Sequence, residues 1–148
     1  MATCPAVTVE LPSGSVVRVA SLRSLVVLKI AAYLDRARER DNDLEDIAHI
    51  LSEYVGSAAD ERRSDEIVDL GMDFDDVSPF VLGKELGALV DEAERRLVQK
   101  FVAMIEDPVD RLSTLQRIAE RAPAAWKDPA RLRLRMIAFH RGFESSSR

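Results

Sequence analysis

Apolar residues recur at strand spacing in the first part of the chain and at helical spacing afterwards. Valine and leucine alternate with polar residues over residues 7–11, and valine dominates residues 16–19. Between these two runs lies Pro12-Ser13-Gly14-Ser15, a composition typical of tight turns. This pattern predicts a β-hairpin over residues 7–19. A lone hairpin is only marginally stable in water, so we expect it to pack on helices or to join further strands.

Two amphipathic helices are predicted over residues 21–55. Ser21 is a favourable N-cap for a helix that runs to about Arg38, and Asp41 or Asn42 would cap a second helix that ends near residue 55. The second helix has a continuous apolar face at helical spacing, formed by Leu44, Ile47, Ala48, Ile50 and Leu51. The short connection between the two helices predicts that they are antiparallel neighbours.

Helical periodicity continues over residues 60–142. A loop is predicted at residues 71–79, with helix resuming near Pro79, and Gly83 and Gly87 are spaced so that another helix can approach closely. Asp128 before Pro129 indicates the start of a last helix, which we expect to end near Arg141. Residues 143–148 are predicted to be a frayed tail. The fold class is therefore mainly α, a single domain over residues 1–148 with six or seven helices and a small N-terminal hairpin.

Composition excludes several classes of protein. Apolar residues make up 47% of the 148 residues and charged residues 32%, which favours a folded domain over global disorder. No run approaches the length of a membrane span, and a single cysteine favours a reducing, cytoplasmic location. Residues 41–107 carry 6 basic and 19 acidic groups, which argues against a broad nucleic-acid surface there.

Candidate chemistry is concentrated in the predicted helix pair. Lys29 lies in an apolar run, and Arg36 follows seven residues later, so both cations are expected on one side of the first helix. Asp43 and Asp46 are three residues apart on the second helix and should share a face. A lysine facing two carboxylates is suited to binding phosphate and to orienting an attacking hydroxyl group.

Structural alternatives exist for each of these features. A lysine in an apolar helix can extend its charged end to water, and Arg36 with Asp46 can form an ion pair that only joins the helices. His49 has the spacing of a second metal ligand beside Asp46, although a half-buried structural histidine is the more common case. An RNA-binding role for the basic end of the chain would rest on Arg131, Arg133 and Arg135.

The segment from Val17 to Arg36, with Asn42 to Leu51, resembles the AbiEii-type nucleotidyltransferases, a group that includes toxins of type IV toxin–antitoxin systems. Lys29 matches the lysine of the family's first helical motif and Arg36 the arginine that follows it. Asp43 and Asp46 match the two acids of the later motif. The resemblance implies a transfer of a nucleotide from a nucleoside triphosphate to an acceptor such as RNA, with Mg²⁺, and the C-terminal part of an α+β fold.

Under this resemblance Lys29 and Asp46 would be catalytic, and Arg36 and Asp43 would bind nucleotide. The family also carries a Gly-Ser motif followed by paired acids, whereas Gly14-Ser15 is followed here by Val16-Val17-Arg18-Val19. We therefore expect a C-terminal portion without the metal-binding acids, and no metal ligands are assigned. Whether the chain is an enzyme by itself stays open, and an antitoxin or a missing N-terminal half would be its partner. The alternative is a non-catalytic helical interaction module.

Overall fold

In a computed structural model, the chain is described over residues 6–37, 39–54, 65–107, 111–121 and 127–146. These residues form a two-stranded hairpin and seven helices, which confirms the predicted mainly α fold. The strands are β1 (Ala6–Glu10) and β2 (Val16–Ala20). The helices are α1 (Leu22–Asp35), α2 (Asp41–Glu53), α3 (Asp65–Asp69), α4 (Phe74–Leu89), α5 (Glu92–Glu106), α6 (Arg111–Arg121) and α7 (Pro129–Ser145).

The hairpin forms where the alternation predicted it. β1 and β2 are antiparallel, with Val7 opposite Val19 and Val9 opposite Val17. Gly14 has a φ of 80°, which closes the loop in the left-handed conformation that glycine adopts without steric cost. The hairpin contacts the helices through β2, which leads directly into α1. Most of its side chains are exposed.

Helices α1 and α2 pack side by side, as their short connection predicts. The Ser21 hydroxyl accepts a hydrogen bond from the Ser24 N–H at 3.2 Å, so the predicted N-cap of α1 is confirmed. The predicted cap of α2 was wrong, since Arg40 is its N-cap and Asp41 is its first helical residue. The whole predicted apolar face of α2 is buried in the core. Tyr33 of α1 meets Phe101 of α5 edge to face, with ring centroids 6.0 Å apart.

The tightest helix contact joins α4 to α7. A Cβ atom added at Gly83 would overlap the Phe139 carbonyl oxygen and lie 2.9 Å from the Phe143 nitrogen. The reciprocal contact places Gly142 against the Phe80 carbonyl oxygen. The two backbones therefore meet without intervening side chains, which confirms the close approach predicted from the glycine spacing on α4.

Two predicted helix boundaries were wrong. Pro79 lies inside α4, which begins at Phe74, so the expected loop ends earlier. Because Pro79 lies in the second turn, its missing N–H deprives only the Asp75 carbonyl of an intrahelical partner. The expected frayed tail also begins too early, because Phe143 is fully buried and α7 continues to Ser145. No helix in the described part of the chain has both the length and the apolar character needed to cross a bilayer.

Candidate functional site

Lys29 lies at the edge of the buried face of α1. The neighbouring positions Val26, Val27, Ile30 and Tyr33 point into the core, whereas Leu28 is exposed. Lys29 is therefore half-buried, and its stem follows the helix surface towards the first turn of α2. The α1–α2 pairing brings the ammonium group to two carboxylates of the next helix.

Asp43 and Asp46 both bind Lys29. The Lys29 Nζ atom is 2.9 Å from Asp43 Oδ1 and 2.6 Å from Asp46 Oδ2. The three-residue spacing predicted that the acids share a face of α2, and this prediction is confirmed by their common partner. Their environments differ, because the Asp43 side chain is 5% exposed and the Asp46 side chain is 48% exposed. The site thus has one buried carboxylate and one that faces water.

The buried carboxylate of Asp43 is incompletely paired. Its Oδ1 atom accepts a hydrogen bond from Lys29, but Oδ2 accepts none from the described residues. The Nη1 atom of Arg40 lies 3.5 Å from Oδ2. Asp43 also lies in the first turn of α2, where the helix dipole stabilises negative charge. These three influences offset part of the free-energy cost of burying a negative charge.

Lys29 is held firmly in its charged form. The hydrogen bond to Asp46 raises the pKa of Lys29 above its usual 10.5, and the hydrogen bond to Asp43 raises it further. Partial burial acts in the opposite direction but is weaker than the two carboxylates. An ammonium group with a raised pKa is a stable electrostatic partner for anions and is unsuited to act as a general base at neutral pH.

Arg36 does not join this group of charges. α1 ends at Asp35, and Arg36 is its C-cap, with a φ of −141°. The helical projection that would place Arg36 above Lys29 therefore fails at this residue. Its Nε atom is 3.5 Å from the exposed carboxylate of Asp35, and it has no contact with Asp43 or Asp46 among the described residues. The alternative ion pair of Arg36 with Asp46 is likewise absent from the described contacts.

Arg40 is the residue that sequence reasoning missed. Its interaction with Asp43 is an i, i+3 pair across the start of α2. The spacing was visible in the sequence, but Arg40 falls in the predicted connection between the two helices and was not considered as a partner of Asp43. Lys29, Arg40, Asp43 and Asp46 are named the charge cluster below, and its formal charges sum to zero.

The residues near the charge cluster do not extend it into a metal centre. His49 is exposed, so the expectation of a half-buried histidine was wrong. Within the described residues, no three His, Cys, Asp or Glu side chains are arranged to hold a metal ion. The acidic stretch Asp73–Asp76, expected to be a solvated loop, instead opens α4.

The basic residues of α7 do not form one surface. Arg131 and Arg133 are exposed, but Arg135 is buried. Its guanidinium donates hydrogen bonds to Asp76 at 2.5 Å and to Asp75 at 2.9 Å. Arg135 therefore joins α7 to the start of α4 and is unavailable to RNA. This buried pairing removes one of the three residues on which an RNA-binding role would rest.

A second ion-pair network lies on the other side of α2. Asp41 pairs with Arg117 and, at 3.4 Å, with Arg121 of α6. Arg117 also donates a hydrogen bond at 2.8 Å to the Ala37 carbonyl, just beyond the end of α1. This network joins three helices and fixes the turn between α1 and α2. It therefore positions the charge cluster without contributing a group to it.

Comparisons with known proteins do not assign a function to this site. No family model matches the chain, and searches of curated proteins and of solved structures likewise found no match.

Proposed function

We propose that the chain is a nucleotidyltransferase-like protein that binds the triphosphate of a nucleoside triphosphate at Lys29. The proposal rests on the resemblance of the two helical motifs to the AbiEii group. The observation that carries it is the position of Lys29, whose ammonium group lies between two carboxylates from the next helix. A lysine in this position is a point charge that can neutralise phosphate oxygens, with carboxylates close by to orient a hydroxyl group.

A triphosphate would have to compete with an existing ion pair. The charge cluster is neutral, so it does not by itself attract an anion from solution. Asp46 is the exchangeable partner, because its carboxylate is about half exposed and ion pairs of this kind are worth roughly 0–1 kcal/mol. Asp43 is the fixed partner, since it is buried beneath the lysine. Binding would therefore exchange the Asp46 contact of the ammonium group for phosphate, while its hydrogen bond to Asp43 is kept.

This exchange gives each acid a distinct role. Release of Asp46 from Lys29 leaves a carboxylate beside the bound phosphate, where it can accept a proton from an acceptor hydroxyl. Asp43 acts as a positioning residue, because it is buried and contacts the lysine alone among the described side chains at hydrogen-bond distance. Arg36 has no role in this scheme unless the turn between α1 and α2 rearranges. RNA is the acceptor that the resemblance implies.

The charge cluster does not fit a magnesium centre by itself. Two carboxylates are present, and both bind Lys29, which occupies the space between them that a cation would need. Magnesium usually retains water and binds one or two carboxylates together with substrate phosphates. The proposal therefore assigns no step to a metal held by the described residues.

The test is a nucleotide titration monitored by NMR. Each of the four common nucleoside triphosphates is titrated into labelled protein, with and without Mg²⁺, while the side-chain signals of Lys29 and Asp46 are monitored. We expect both signals to shift and the Lys29→Met variant to lose binding. Lys100→Met is the matched control, because Lys100 is an exposed lysine on α5. Unmoved signals at saturating nucleotide would refute the proposal.

A non-catalytic helical interaction module is the second candidate. Mutual neutralisation within the charge cluster favours it, because a structural ion cluster needs no ligand. The partner would be a protein such as an antitoxin or an N-terminal half of a split enzyme. In that case Lys29→Met would lower the stability of the fold and leave every nucleotide titration without effect.

A further inference from the structure

The hairpin presents an apolar face that the helices leave open. Because side chains alternate along a strand, Val7 and Val9 of β1 share one face with Val17 and Val19 of β2. Val7 is 50% exposed and Val19 is 43% exposed. An exposed two-stranded sheet with a valine face is marginally stable in water and readily accepts a further strand.

The loop fixes which backbone groups point outward. Leu11 donates its N–H to the Ser15 carbonyl at 2.8 Å, so this pair is hydrogen-bonded. Hydrogen-bonded and non-hydrogen-bonded pairs alternate along an antiparallel ladder. Val9–Val17 and Val7–Val19 are therefore bonded within the hairpin. The N–H and C=O groups of Ala6, Thr8 and Glu10 on β1 point away from β2, as do those of Arg18 on the other edge.

We propose that the β1 edge pairs with β1 of a second copy of the chain, antiparallel and centred on Thr8. In this register all five residues of β1 are paired, with Thr8 opposite Thr8, Ala6 opposite Glu10 and Val7 opposite Val9. The outward groups of Ala6, Thr8 and Glu10 then form the bonded pairs. The two copies are related by a twofold axis, the commonest symmetry of protein dimers.

Side-chain chemistry favours pairing of two β1 edges over pairing of two β2 edges. Val7 and Val9 of opposite copies form non-hydrogen-bonded pairs, in which side chains approach most closely. Glu10 meets Ala6, so no like charges are opposed. The equivalent pairing of two β2 edges would place Arg18 directly opposite Arg18, which is destabilising. The β2 edge also lies nearer the helices, since β2 contacts α1. The β1 edge is thus the one suited to a second copy.

The four-stranded sheet that results has one valine face, because the twofold axis is perpendicular to the sheet and keeps both valine faces on the same side. Each copy contributes four valines to that face. The opposite face carries Thr8, Glu10, Val16 and Arg18 of each copy, with Ala6 and Ala20 at its end. This dimer is independent of nucleotide binding, so it stands or fails separately from the proposed function.

Sedimentation equilibrium over a range from low micromolar to near-millimolar protein provides the test. We expect a species of twice the chain mass of 16.5 kDa. Thr8→Pro removes an outward N–H from each copy, so two intermolecular bonds are lost and dimerisation weakens about thirtyfold. Arg18→Pro is the matched control, because it places the same residue at the outward position of β2. The control should leave dimerisation unchanged, and circular dichroism checks that both variants keep the helices.

A cross-linking experiment tests the register directly. Directly opposed residues in a bonded pair have Cα atoms about 5.5 Å apart, which a disulfide can span. In a Cys4→Ser background, Thr8→Cys should give a covalent dimer on oxidation and Arg18→Cys should not. A monomer at every concentration overturns the proposal. So does a dimer that withstands Thr8→Pro, as face-to-face stacking of the valines would produce, or one that Arg18→Pro weakens equally.

Discussion

Alanine at the glycine contacts of α4 and α7 should destabilise the fold. Glycine in an ordinary helix interior costs about 1 kcal/mol relative to alanine, so Gly→Ala normally stabilises a helix by that amount. Here a Cβ atom at Gly142 would overlap the Phe80 carbonyl oxygen and lie 2.9 Å from the Lys84 nitrogen. Both neighbours are backbone atoms of a helix, so neither can rotate away as a side chain would. The helices must separate along their tightest contact.

The expected loss in the free energy of unfolding follows from two opposing effects. Overpacking of a well-packed core costs roughly 1–3 kcal/mol, and a clash with backbone belongs at the upper end of that range. Subtracting the gain of about 1 kcal/mol in helix propensity leaves a net loss of about 2 kcal/mol. For a domain of this size that loss lowers the melting temperature by roughly 4–8 °C. Gly83→Ala should behave in the same way, because it meets α7 from the other side.

Thermal and urea unfolding of both single variants and the double variant measure these effects. The double variant should lose less than the sum of the two single losses, because helices already separated by one methyl group accommodate the second more easily. Ala88→Gly is the matched control. Ala88 is an exposed residue of α4, the helix that carries Gly83, and its replacement should cost up to about 1 kcal/mol by propensity alone.

The sign of the change decides the matter. If Gly83→Ala or Gly142→Ala raises the melting temperature by as much as Ala88→Gly lowers it, propensity alone governs these positions. That result would refute the close backbone contact between α4 and α7. Strict additivity in the double variant would mean that the two glycines do not share one contact.

Three further predictions concern charged residues. Asp43→Asn should reduce the free energy of unfolding by about 2 kcal/mol, because it removes the buried partner of Lys29. Asp46→Asn should reduce it by less than about 1 kcal/mol, since that carboxylate is about half exposed. Equal losses in urea unfolding would contradict the assigned environments. The raised pKa of Lys29 means that its contribution to stability is complete below pH 10.5 and is lost as the pH rises through the folded-state pKa. Urea midpoints measured across that range should therefore fall less steeply for Lys29→Met, and an identical slope would refute the coupling. Arg135→Met should cost about 2–3 kcal/mol by leaving Asp76 without its buried partner, whereas Arg133→Met on the exposed side of α7 should change the melting temperature little.

Much of the candidate site was predictable from sequence, because it depends on local spacing. Lys29 lies on a helix edge, and Asp43 and Asp46 share a face of the next helix, so one short connection was enough to bring them together. The predicted position of Arg36 was wrong because it assumed that α1 continues past Asp35. Helix ends depend on tertiary contacts, and here Arg117 binds the Ala37 carbonyl where the chain turns.

The periodicity of apolar residues and the turn and cap residues determined the hairpin, the mainly α fold and the facing of Lys29 with two acids. The hairpin and the helices are encoded by residues close in sequence, and Lys29 lies only 14 residues from Asp43 on the next helix. These features can therefore be predicted without knowledge of the distant chain. Only the tertiary structure decided which charges are buried. Arg135 was one of three residues on which the alternative of RNA binding would rest, and it is instead enclosed against Asp76. Phe143 was expected in a tail and is instead fully buried. Burial depends on which elements meet across the fold, and the contact of α4 with α7 joins segments about sixty residues apart.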